Sequence, residues 1–91
     1  MSDKKMLIGS LSNDLYRVAS LTFSGSTKSA VRFFQESKKW SNQLTHQDTA
    51  DYIKKIIDDI NTTNENQLSI EKAEALLMYS TLLQNYSLKL A

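Results

Sequence analysis

Residues 49–61 read TADYIKKIIDDIN, and the spacing of their apolar side chains decides the class of fold. Ile53, Ile56, Ile57 and Ile60, preceded by Thr49 and Ala50, recur every three or four positions, which places them on one narrow stripe of a helix. The charges fall on the other side. Asp51–Lys55, Lys54–Asp58 and Lys55–Asp59 stand four apart, the spacing at which opposite charges meet along a helix surface. The pattern predicts an amphipathic helix over 47–61. Thr45-His46-Gln47-Asp48 resembles a capping box at its start, with aspartate in the place usually held by glutamate.

The same period extends outward in both directions. Upstream, Ala30, Phe33, Phe34, Ser37, Trp40, Ser41 and Leu44 form the apolar stripe of a helix over 28–44, with Lys28, Arg32, Gln35 and Lys39 on its far side. Before it, Leu7, Ile8, Leu11, Leu15, Val18, Ala19 and Thr22 define a helix over 4–23, with Tyr16 and Phe23 on the shoulder of the stripe. Gly9 lies inside that helix and costs about 1 kcal/mol relative to alanine. Between the two, Gly25 can take the left-handed conformation after a helix end, and Ser26 or Thr27 can cap the next helix.

Downstream, the polar run 61–68 (NTTNENQL) is the longest connection, and Ser69 caps a last helix over 70–90, with Glu71 and Glu74 at its positive end. Leu76, Tyr79, Leu83, Tyr86 and Leu90 alternate three and four apart, a coiled-coil-like seam widened by Ala73, Leu77, Ser80 and Ser87 on one side and Ala75 and Leu82 on the other. The chain is therefore read as one all-α domain over 1–91, a small four-helix unit. Short connections favour an antiparallel up-down bundle, with crossed helical hairpins as the alternative, because 61–68 leaves the angle of the last helix open.

Composition agrees and narrows the chemistry. The chain has 91 residues, no proline to break a helix, and no cysteine, which removes disulfides, thiol catalysis and cysteine-ligated metal. Eleven basic against ten acidic residues leave +1, too balanced to imply nucleic acid or a membrane surface by bulk charge. The start, MSDKKMLIGSL, has too short an apolar run for a secretory signal, and no stretch approaches a membrane span, so a cytoplasmic location is expected. Without an export signal, the acceptor patterns Asn61-Thr62-Thr63 and Asn85-Tyr86-Ser87 are read as chance matches.

No catalytic, metal or cofactor residue is assigned. His46 is the sole histidine and has Asp48 close by, but no serine or threonine is placed as an activated nucleophile. The acidic pairs Asp48/Asp51, Asp58/Asp59 and Glu71/Glu74 lack the core-facing Glu-x-x-His partners of di-metal bundles, and Asp51, Asp58 and Asp59 are placed opposite the isoleucines. Gly25-Ser26-Thr27-Lys28 has the tail of a phosphate-binding loop without its earlier glycine or strand; it can hold at most a single anion at a helix start.

Two surfaces stand out as binding candidates. The second helix carries Lys28, Arg32, Lys38 and Lys39 against Glu36, a net of +3, while 47–61 carries −2. Arg17, Lys28, Arg32 and Lys39 form a candidate anion or nucleic-acid face. Met78, Leu82 and Tyr86 on the last helix and Val31 on the second form a candidate protein interface, and Trp40 is either core or an anchor for a partner.

In size, helix count and lack of cysteine the chain is similar to the intracellular immunity proteins that protect bacteria from their own class II bacteriocins, which are small antiparallel four-helix bundles. The similarity is one of architecture, covers no residue string, and transfers no site. The expected function is a non-catalytic protein acting by protein–protein contact, with a homodimer through the wide arc of the last helix as one form. Anion or nucleic-acid binding and a bacteriocin-immunity-like protective role are the alternatives.

Overall fold

Four helices follow in chain order in a computed structural model that describes residues 3–90. They are α1 (Lys4–Phe23), α2 (Thr27–Leu44), α3 (Asp51–Thr62) and α4 (Ile70–Lys89), with a single 3₁₀ turn at Glu65–Gln67 and no strand among the described residues. The all-α four-helix bundle expected from the sequence is the fold observed.

Helix α1 is the common element, packing along both α2 and α4. Leu7, Ile8, Leu11, Leu15, Val18 and Ala19 are all buried, as the period required. Against α2 the run is antiparallel: Asp14 meets Trp40 and Arg17 meets Phe33. Against α4 it is antiparallel too, and closer. Ser12 Oγ donates to the Ser80 carbonyl at 2.7 Å while Ser80 Oγ donates to the Ser12 carbonyl at 2.8 Å. Such a reciprocal pair needs small side chains on both helices, and it satisfies two buried hydroxyls at once. Lys5 Nζ, donating to the Leu90 carbonyl at 3.3 Å, extends the same register to the helix ends.

The turn between α1 and α2 forms as its residues require. Ser26 N–H donates to the Leu21 carbonyl and Gly25 N–H to the Thr22 carbonyl, a Schellman ending with Gly25 at φ +82. Ser26 stands at the N-cap of α2 with no capping hydrogen bond from its side chain, so the expected side-chain cap is absent and helix α2 begins at Thr27, one residue early. Ser69 does cap α4, accepting from Lys72 N–H at 3.1 Å.

Helix α3 departs most from expectation. It begins at Asp51 and not at position 47, and the anticipated capping box does not form. His46 and Gln47 amides still bond to Gln43 and Leu44 carbonyls in a turn that ends α2, and the Thr45 hydroxyl bonds back to Ser41. The chain then crosses the end of the bundle. Lys4 Nζ donates to the Asp48 carbonyl at 2.6 Å, and Ala50 N–H donates to the Tyr86 hydroxyl at 3.2 Å. Drawn to α4 in this way, α3 starts against Tyr86, whose ring meets Tyr52 edge-on at 6.0 Å. Its last turn is wedged between two neighbours: Asn61 bonds Ser41 on α2 and Thr45 just past its end, and Asp59 faces α4. Ile53, Ile56, Ile57 and Ile60 close the core beneath it with Phe34, Leu76 and Leu83.

Asp59 corrects the sequence reading directly. Placed there on the solvated face, it instead accepts from Lys72 Nζ at 2.9 Å and from the Tyr79 hydroxyl at 2.5 Å. None of the three four-residue charge pairs on α3 closes to an ion pair among the described residues. Burial acts to raise the Asp59 carboxyl, but the hydrogen bonds from Tyr79 and Lys72 outweigh it and hold the group below its ordinary value. Burial and the facing carboxylate push the Tyr79 phenol up to about 12.

A Cβ on Gly9 would meet only Ser87 Oγ, at 3.9 Å, an ordinary contact. Gly9→Ala is therefore expected to stabilise by up to about 1 kcal/mol in urea unfolding, whereas Gly25→Ala, forced to positive φ, is expected to destabilise by about 1 kcal/mol. The lowered Asp59 value contributes stability above the unfolded carboxyl pKa of about 3.8 that is lost as pH falls through the folded value. Asp59→Asn should cost about 1–2 kcal/mol near neutrality and flatten the acid limb of the stability curve, read by unfolding at about pH 7 and below about pH 4.

Candidate functional site

On the solvent side of the α1–α2 pair the helices leave a groove of about 580 Å³. Its walls follow from helical spacing: Asp14 and Arg17 project from α1 three residues apart, and Arg32, Glu36 and Trp40 descend α2 at four-residue steps beside Phe33. The Trp40 indole N–H donates to Asp14 Oδ2 at 2.8 Å, so this half-buried ring is tied down at its polar edge and packed on the core with its apolar body. The Arg17 guanidinium lies over the Phe33 ring, 5.3 Å from its centroid.

Electrostatically the groove is balanced. Two arginines and two carboxylates line it, and they interact. Burial raises the Asp14 carboxyl above its ordinary value and nearby Glu36 adds to the rise, against the opposing pull of the Trp40 hydrogen bond and Arg17. Glu36 in turn pairs with Lys39 at 3.2 Å, an exposed contact worth little in stability.

This geometry sorts the four residues of the expected anion face. Arg17 and Arg32 come together in the groove, with Arg17 stacked on Phe33 and beside Asp14. Lys39 is engaged by Glu36, and Lys28 is exposed in the first turn of α2, outside the groove lining. Arg17 and Arg32 thus share the groove with Asp14 and Glu36.

The expected protein interface is also partly regrouped. Met78 and Leu82 are exposed one turn apart on α4 and are joined by Leu77. Tyr86 turns inward, its hydroxyl accepting from Ala50 and its ring against Tyr52, so it serves α3 and not an outer surface. Val31 is half-buried on α2, a different helix from this patch. Sequence reasoning did not single out Asp14, whose only sign was its place at the edge of the α1 stripe. It also set Tyr16 and Phe23 on a shoulder, and both are exposed. His46 is exposed in the turn after α2. Among the described residues no three or more His, Cys, Asp or Glu side chains gather as a metal site would require. No described helix is long and apolar enough to cross a membrane.

No protein-family profile matches the chain, and no curated protein and no solved structure is detectably similar to it. The class of protein is therefore defined by the fold alone, a small all-helical bundle with a balanced polar groove on one flank of α1 and an apolar strip on the other.

The raised Asp14 carboxyl can be followed through its bond to Trp40. In a pH titration of the Trp40 indole N–H resonance, a midpoint above 3.8 is expected. Glu36→Gln should lower that midpoint and Trp40→Phe, followed at the Asp14 carboxyl carbon, should raise it. A wild-type midpoint at or below 3.8 would show that burial does not dominate this carboxyl.

Proposed function

We propose that this chain is a non-catalytic cytoplasmic protein that acts by contact with another polypeptide, and that α4 supplies the contact surface. The observation that carries this reading is the outer side of α4, where Leu77, Met78 and Leu82 are exposed together. Residues 75–88 hold no charged side chain at all. Single exposed apolar residues are ordinary, but a helix presenting several of them over four uncharged turns has the character of a surface that is covered in use.

Anion or nucleic-acid binding at the α1–α2 groove has less support. Phosphate binding needs cations free to replace counterions, and here Asp14 and Glu36 lie among them.

A photoreactive amino acid installed at Met78 in cells that make the protein is expected to give a discrete covalent adduct with a polypeptide, while the same group at exposed Lys55 on α3 gives none. Leu82→Glu should reduce the Met78 adduct about tenfold, the effect of losing roughly 1.4 kcal/mol of binding. Equal, diffuse labelling at both positions would overturn the reading.

A further inference from the structure

We infer that the polypeptide covering α4 is a second copy of this chain, packed across the joint outer face of α1 and α4 about a two-fold axis. The inference rests on the reading of α4 as an interaction face and adds its occupant and geometry.

The face is larger than α4 alone. The Ser12–Ser80 contact sets the register, so one turn further along α1 Tyr16 lies level with Leu77, and three turns along, Phe23 lies level with Ile70. On α4, Tyr79 and Tyr86 mark the side turned to α3 and Ser80 the side turned to α1. Leu77 and Ile70 lie beyond Ser80, on the side away from α3, and all four of these apolar residues are exposed. Two 20-residue helices side by side present roughly 30 × 20 Å, or about 600 Å². A two-fold axis level with Thr81 overlaps residues 74–89 of the two α4 helices, about 24 Å of that length, so the pair buries about 960 Å², the size of a weak, reversible interface.

Charge then selects the occupant. Helix α4 carries Glu71 and Glu74 in its first turns and Lys89 in its last, all exposed and in no ion pair with each other. The stretch between them is uncharged. An acidic or basic partner would match one end of this face and oppose the other. A second copy running antiparallel matches both, because a two-fold axis level with Thr81 sets each Glu74 near the other copy's Lys89. The self-complementary contact closes on itself, as an isologous dimer must. By contrast, the basic α2 would repel its own copy.

Sedimentation equilibrium of the full chain over about 1 to 100 µM is expected to show twice the monomer mass, with Leu77→Glu weakening the association at least tenfold while circular dichroism stays unchanged. Glu74→Lys should weaken it several-fold, and Glu74→Lys combined with Lys89→Glu should restore it, a rescue that a merely structural role would not produce. Because the chain has no cysteine, Thr81→Cys offers a clean check at the axis: mild oxidation should yield a disulfide-linked dimer, and Lys55→Cys should not. Monomer mass throughout that range, or a dimer indifferent to Leu77→Glu, overturns the inference. A Met78 photo-adduct with a different polypeptide would also overturn it while leaving the interaction reading intact.

Discussion

The reciprocal contact between Ser12 and Ser80 constrains more of this molecule than any apolar pair. Each hydroxyl reaches the other helix's backbone carbonyl, which demands that α1 and α4 approach with little between them. Ser87 beside Gly9 continues the same close seam. Buried hydroxyls left without partners each cost about 1–3 kcal/mol, so a shift of α4 along α1 is penalised twice at this point. With α4 fixed, α3 follows: Tyr86 takes the Ala50 amide at one end, and Lys72 and Tyr79 take the Asp59 carboxylate at the other. The third helix is thus placed partly by a contact in which it takes no part, and partly by its own packing on α2.

That dependence explains which parts of the fold were legible in sequence. Helix α1 could be read end to end, and the isoleucines of α3 announced their buried stripe, because local periodicity alone decides those features. Gly25 could be read because only its backbone satisfies the turn without strain. The start of α3 could not be read in the same way. Its determinants, Lys4 and Tyr86, are more than thirty residues away in sequence, and nothing near Thr45 records them. Asp59 was misplaced for a subtler reason. It sits at the border of the isoleucine stripe, on the same helical side as Tyr52 seven residues earlier, and charge outweighed position in the reading.

The binding surfaces were legible as residues but not as groupings. Arg17, Lys28, Arg32 and Lys39 were recognisable as a cationic set from helical spacing, yet spacing is silent about which carboxylates the packing of α1 on α2 brings among them. Asp14 from α1 and Glu36 from α2 balance Arg17 and Arg32 in the groove. In α4 the reverse holds. Its wide apolar arc, with Leu77 and Leu82 beside the seam, is a property of one segment, so it could be read from sequence, and the fold only decides which of its residues stay outside.

Asp14 and Asp59 also differ in a way that separates the two flanks of α1. Both are half-buried aspartates bound by a side-chain donor, yet one carboxyl is raised and the other lowered. Asp59 gains a lysine and a phenol, which more than offset its desolvation. Asp14 gains an indole and a nearby arginine, but burial, with Glu36 adding to it, outweighs them. The α3–α4 contact is thus electrostatically favourable and supports the core, whereas the groove keeps an ionised carboxyl where its surroundings resist one. Holding Asp14 in the groove thus has a desolvation cost. The apolar strip on α4 carries its cost in another form, as exposed hydrocarbon. A near-neutral net charge therefore conceals two unlike surfaces on either side of one helix, and of the two, it is the uncharged strip whose cost a partner can remove.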